Sequence, residues 1–158
     1  MESIALFGGS FDPPHTGHKA IVEAAQNLKE IDKVVIMPTY LNPFKSKSHS
    51  TPKQRLEMVK EMFSSFDKVE VSDFEVLKEQ KTPSIITVKH LLKKYNKLYL
   101  IIGADNLESL HKWQDYNELK QLVTFIVAKR DNINIPKEYI TLDVNENISS
   151  TEIRNKEK

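Results

Sequence analysis

The sequence predicts a doubly wound α/β fold, a parallel sheet of about five strands with helices on both faces, and three observations carry that prediction. Strand-like runs alternate with helical patterns from one end of the chain to the other, as repeated βαβ units require. The strand candidates at residues 4–7, 33–37, 68–71, 98–102 and 123–128 are mostly unbroken apolar runs, which suits strands buried on both faces. The glycines, Gly8, Gly9, Gly17 and Gly103, all stand where a strand end meets a loop or where a helix begins. Glycine is needed most where backbone turns sharply or approaches a ligand, and open α/β sheets bind ligands beyond the carboxyl ends of their strands.

In chain order, the first strand is followed by a glycine- and proline-rich turn and then by Ala20, Ile21, Ala24, Ala25 and Leu28 at helical spacing. After the second strand, Thr51 as N-cap, Pro52 at the first helical position and Gln54 in capping-box spacing start a helix whose buried stripe is Leu56, Val59, Met62, Phe63 and Phe66. Thr82 before Pro83 predicts a similar start for a third helix, with Ile85, Val88, Leu91, Leu92 and Tyr95 as its stripe. The last two strands follow, and Ser149 with Glu152 marks a final short helix that runs into a polar tail. The sum is a Rossmann-like sheet in a single domain over residues 1–158.

Composition narrows the function classes. A chain of 158 residues can bury one sizeable core. The absence of cysteine excludes a disulfide framework, a thiolate metal site and a cysteine nucleophile. A short strand-like run at residues 4–7 is not the start of a signal peptide, and no apolar run reaches membrane-spanning length, so a cytoplasmic protein is expected. The net charge of +1 offers no whole-protein attraction to a nucleic acid polymer or an anionic membrane. Anion binding must therefore be local.

A local anion site is what the first turn offers. Gly8-Gly9-Ser10-Phe11-Asp12-Pro13-Pro14-His15-Thr16-Gly17-His18 leaves a strand and enters a helix, so free backbone N–H groups and two imidazoles gather at a helix N-terminus. His15 and His18, three apart across a glycine, can face one anion and stabilise charge that builds during transfer. Neither GxGxxG nor GxxxxGK[ST] occurs, which removes the main support for dehydrogenase and P-loop readings.

The string GGSFDPPHTGH resembles the HxGH signature of the nucleotidylyltransferase superfamily, and residues 148–154, ISSTEIR, resemble that superfamily's second signature. Ile101-Ile102-Gly103-Ala104-Asp105-Asn106, followed by Trp113, resembles the middle segment of the nicotinate mononucleotide adenylyltransferases within it. The resemblance runs from residue 4 to residue 154. It implies that Gly8, Gly9, Ser10, Phe11 and His18 bind ATP together with Gly103 and Asp105. Ser149, Ser150, Thr151 and Arg154 would hold the β- and γ-phosphates, a role that hydroxyls, backbone donors and a guanidinium fork suit. The same resemblance places the mononucleotide against Lys45, Thr82, Ser84 and Trp113, with the indole stacked on a pyridine ring. From the residue alone, Trp113 serves equally well as a core anchor, and Lys45 as part of a solvated basic loop. Asp12 reads as a turn residue that bonds its own backbone or as a water-mediated contact.

The implied reaction is attack of the mononucleotide phosphate on the α-phosphorus of ATP, with His15, His18, Lys45 and Arg154 as the catalytic set and no protein nucleophile. Mg²⁺ is expected to arrive with ATP, held mainly by phosphates and water, with no dedicated protein metal site. The expected partners are ATP and a mononucleotide; monomer and homo-oligomer stay open. Phosphopantetheine adenylyltransferase, glycerol- or choline-phosphate cytidylyltransferase and a non-catalytic nucleotide-binding module are the alternatives. The chain departs from the family pattern at Phe44, where many relatives have histidine, at Pro83, near their tyrosine, and in ending four residues after Arg154, where most relatives continue, so a truncated and an unusually short form both stay open.

Overall fold

The computed structural model describes residues 2–11, 13–40, 51–129 and 133–144. Along the chain come β1 (Ser3–Gly9), α1 (Thr16–Gln26), β2 (Lys33–Pro38), α2 (Pro52–Met62), β3 (Val69–Val71), α3 (Phe74–Leu77), α4 (Ser84–Leu92) and β4 (Lys97–Gly103). Two 3₁₀ turns, Ala104–Asn106 and Leu110–Lys112, lead to α5 (Tyr116–Leu122), β5 (Val123–Ala128) and β6 (Ile140–Leu142). All strands pair in parallel in the order β3-β2-β1-β4-β5-β6.

That order contains one reversal. From β1 the chain winds outward through β2 and β3, then crosses back to β4 on the other side of β1. The connections leaving β1 and β4 therefore diverge and open a crevice between their carboxyl ends, the place where open α/β sheets bind ligands. Gly8 and Gly9 end one of those strands and Gly103 ends the other.

Strand side chains alternate between two cores, because successive residues of a strand point to opposite faces. Ala5, Phe7, Ile36, Ile101 and Ile126 pack with Val22 and Ala25 of α1 and Val59 of α2. Leu6, Val35, Leu100, Ile102 and Phe125 pack with Ile85 and Val88 of α4 and Leu119 of α5. Unbroken apolar runs are thus explained by cover on both faces. Each fully buried aliphatic side chain contributes about 1.5–3 kcal/mol, so the two clusters are the main source of stability.

Three expectations need correction. The described residues form a sheet of six strands where about five are expected; the extra one, β6, is a three-residue edge strand in which only Leu142 is buried. The third helix begins at Ser84 with Pro83 in the N-cap position, one residue later than the Thr82 cap predicts. Proline has no side-chain acceptor, and the Thr82 hydroxyl donates instead to the Gln80 carbonyl at 3.3 Å. The short helices α3 and α5 and the 3₁₀ turns have no counterpart in the periodicity. By contrast Thr51 and Gln54 form the expected capping box, with bonds of 3.0 and 3.1 Å between each backbone N–H and the other's side chain. The helix expected at Ser149 lies outside the described residues.

Candidate active site

A cavity of about 700 Å³ lies over the carboxyl ends of β1 and β4, within the size range of small-molecule sites. Its walls come from both faces of the sheet. On the α1 side stand Phe11, His18 and Ile21; on the α4 side stand Thr82, Ser84, Leu100 and Trp113. Gly8, Gly9 and Gly103, at the carboxyl ends of β1 and β4, line the same cavity between its α1-side and α4-side lobes.

His15 and His18 do more than line this cavity. His15 is the N-cap of α1, with extended backbone, and its Nδ1 accepts from the Gly17 N–H at 3.0 Å. His18 Nδ1 accepts from the His15 N–H at 3.0 Å, so two imidazoles replace the serine and glutamate of an ordinary capping box. With Nδ1 of each ring held as an acceptor, the neutral imidazole carries its proton on Nε2. The rings stack with centroids 3.8 Å apart and an interplanar angle of 22°. Local helix-capping chemistry thus sets tautomer and orientation at the helix N-terminus, where the helix dipole favours an anion.

The loop that carries them is held from beneath. Phe11 has φ 49°, a left-handed backbone that bulky residues rarely adopt and that costs on the order of 1–3 kcal/mol. Its ring is buried and meets His18 edge-on at 4.7 Å and Phe7 at 5.4 Å. Packing against Phe7 over-determines the strained turn and braces the His18 ring. The space over Gly9 is taken by the same ring, 3.4 Å from where a Cβ would stand.

Arg55, on α2, escaped the sequence reading. Its guanidinium is fully buried and donates to the carbonyls of Ser10 at 2.8 Å, Thr39 at 2.7 Å and Tyr40 at 2.6 Å. One planar fork therefore ties the loop after β1 to the loop after β2, a geometry that suits arginine and not lysine. Glu75 was also missed. It is 6% exposed, lines the cavity and accepts from the Thr87 hydroxyl at 2.6 Å. Burial pushes its carboxyl up to about 7, against the opposing effect of the Thr87 bond. In sequence both look like ordinary charged residues on exposed helix faces, since their partners lie in distant segments or, for Thr87, on another helix.

At the β4 end, Gly103 has ordinary extended backbone, and its role is steric. A Cβ there would stand 2.5 Å from Oδ1 of Asp105, whose side chain folds back over the glycine. Trp113 packs against the α4-side core, as a core anchor does, and also lines the cavity. All the candidate residues from Gly8 through Ser84, Gly103, Asp105 and Trp113 that are described converge on this one cavity. Lys45, Ser149, Ser150, Thr151 and Arg154 lie outside the described residues, as do Asp12 and Phe44. Among the described residues no group of three or more histidines, aspartates or glutamates is placed to hold a metal ion, and no helix is long and apolar enough to cross a membrane.

A parallel sheet with a crevice at its reversal point, and paired imidazoles capping a helix that starts at that edge, defines a Rossmann-like α/β protein. Residues 6–156 match the cytidylyltransferase-like family. A Sulfurimonas denitrificans protein named "Probable nicotinate-nucleotide adenylyltransferase" is 57% identical over 154 residues, 98% of this chain and 85% of that protein. A Campylobacter jejuni (strain RM1221) protein of the same name is 50% identical over 153 residues, 96% of this chain and 84% of its own length. In fold, the chain is similar to Plasmodium falciparum nicotinic acid mononucleotide adenylyltransferase complexed with NaAD, with TM-score 0.80 at 23% identity over 98% of this chain and 83% of that one. The chain belongs to the nicotinate-nucleotide adenylyltransferases of the cytidylyltransferase-like family.

Proposed function

We propose that this protein transfers the adenylyl group of ATP to nicotinic acid mononucleotide, giving deamido-NAD and pyrophosphate. The observation that carries the mechanism is the imidazole pair at the α1 N-terminus, each ring with Nδ1 committed as an acceptor, which leaves Nε2 as the donor of the neutral ring. A mononucleotide phosphate oxygen attacks the α-phosphorus of ATP, the new P–O bond forms in line, and the bond to the β-phosphate bridging oxygen breaks as pyrophosphate leaves. No covalent intermediate on the protein is required. Catalysis comes from alignment and from donors aimed at the oxygens where charge builds.

His15 and His18 donate to α- and β-phosphate oxygens, Ser10 supports them, and Lys45 and Arg154 supply positive charge to the triphosphate. Gly103 and Asp105 take the adenosine, with Ser149, Ser150 and Thr151 on the departing phosphates. The α4-side lobe takes the mononucleotide, its pyridine on Trp113 and its edge near Thr82 and Ser84. A cavity of about 700 Å³ walled from both faces of the sheet suits two nucleotides that must meet at one phosphorus. Mg²⁺ would arrive as part of Mg-ATP, held mainly by phosphate and water, and would supply charge neutralisation at the phosphates. ATP and a soluble mononucleotide as substrates accord with a cytoplasmic setting.

The test is pyrophosphate release from Mg-ATP with nicotinate mononucleotide, nicotinamide mononucleotide and phosphopantetheine supplied separately, beside His18→Ala. Turnover with nicotinate mononucleotide that His18→Ala abolishes is expected. Turnover with phosphopantetheine alone, or with none of the three, overturns the reading.

A further inference from the structure

The α4-side lobe contains a carboxyl group that the reaction above does not use. Glu75 sits on a four-residue helix, α3, that is docked on α4 at two points. The Phe74 ring stacks on His90 at 3.9 Å and 11°, and Glu75 Oε2 accepts from Thr87 at 2.6 Å. Glu75 is thereby fixed against α4, one turn from its start, and lines the same cavity as Thr82 and Ser84.

We propose that Glu75 is a specificity-determining residue for the pyridine substituent of the second substrate, discriminating acid from amide by its own state of charge. The proposal rests on the reading of the α4-side lobe as the mononucleotide site. An ionised Glu75 is an acceptor only: it receives N–H bonds from a carboxamide and repels a carboxylate in a low-dielectric wall. A protonated Glu75 donates its O–H, and a carboxylate is the stronger acceptor for it. Nicotinate mononucleotide therefore selects the protonated wall, and nicotinamide mononucleotide tolerates either form.

The surroundings leave that titration to burial and to Thr87. Among the described residues Glu75 has no ion-pair partner. From α4, Lys89 pairs with Glu118 at 3.0 Å and His90 lies against Phe74. Arg55 of α2 is engaged by three carbonyls, and Lys33 of β2 lies within 3.6 Å of Glu2 and Glu70. Lys81, Asp105, Lys112 and Lys129 line the same cavity, but it is burial, countered by the Thr87 bond, that moves the Glu75 carboxyl. With the carboxyl pushed up to about 7, the change of state falls in a range where activity is measurable.

The experiment is the ratio of kcat/KM for nicotinate mononucleotide to that for nicotinamide mononucleotide, with Mg-ATP, across about pH 6 to 8.5. Titration of the shared phosphates and of the histidines cancels in the ratio. In the wild-type protein the ratio should fall about tenfold between about pH 6 and 8, as the protonated fraction does. Glu75→Gln, which keeps the shape and a partner for Thr87 but never ionises, should make the ratio flat. Thr87→Val removes the bond that holds the carboxyl down and should move the inflection to higher pH, which keeps the test intact if Glu75→Gln does not fold. Parallel pH profiles for the two substrates in the wild type, or the same slope in Glu75→Gln, overturn the inference while the adenylyltransferase reading stands. Turnover of neither mononucleotide overturns both.

Discussion

Replacing Arg55 with methionine removes the fork that joins the loops after β1 and β2, and the loss can be worked out from its partners. The fully buried guanidinium makes three bonds of 2.6–2.8 Å to the Ser10, Thr39 and Tyr40 carbonyls. A hydrogen bond to a charged group contributes about 1.5–3 kcal/mol, and an orphaned buried acceptor costs about 1–3 kcal/mol. Ser10, Thr39 and Tyr40 are only partly buried, so water recovers part of that, and methionine fills most of the vacated stem volume. The expected net destabilisation is about 3–5 kcal/mol, a large share of the roughly 5–15 kcal/mol of a typical domain. Lysine keeps the charge but not the fork and should recover about half. Urea unfolding of Arg55→Met and Arg55→Lys gives the stability term, and steady-state kinetics well below the unfolding midpoint give the functional one. Because Ser10 belongs to the phosphate-binding loop, KM for ATP should rise even where the variant is fully folded. A loss below about 1 kcal/mol with unchanged KM, or lysine indistinguishable from arginine, would refute the clamp.

Three further outcomes follow from the same geometry. His15→Asn keeps a side-chain cap on α1 but loses the Nε2 donor, so stability should change by less than about 1 kcal/mol in thermal unfolding while kcat falls on the order of a hundredfold. Gly103→Ala places a Cβ 2.5 Å from Asp105 Oδ1 and must swing that carboxylate away; a rise in the Kd for ATP by calorimetry, with little change in Tm, is expected, and an unchanged Kd would remove Asp105 from the adenosine site. Glu75, raised from 4.5 to about 7 in the folded state, binds more protons folded than unfolded between those values, so its effect on stability worsens as pH rises through that window. Glu75→Gln should remove a loss of at most roughly 3 kcal/mol from the unfolding free energy measured by urea at about pH 8 relative to about pH 4.5.

What could be read from the sequence, and what could not, divides by the distance over which each feature is determined. The capping box at Thr51, the turn glycines and the spacing of His15 and His18 are local: the partners lie within a few residues, so the sequence states them directly. The apolar runs were legible because cover on both faces leaves no polar alternation to interpret. By the same logic β6, with one buried residue in three, and α3, a single turn, carry too little pattern to be seen. Even His15 was only half legible, since its role as an N-cap, which sets the tautomer, is a property of where the helix starts. Arg55 and Glu75 lie beyond this horizon altogether. Arg55 is next to the apolar stripe of α2 and reads as a surface cation, yet its acceptors are 45, 16 and 15 residues away and meet only when β1 and β2 pair in register. Parallel pairing brings the carboxyl ends of successive strands to one edge. The loops that make the site are therefore adjacent in space and remote in sequence, and the residues that hold them together are the ones a linear reading assigns to solvent.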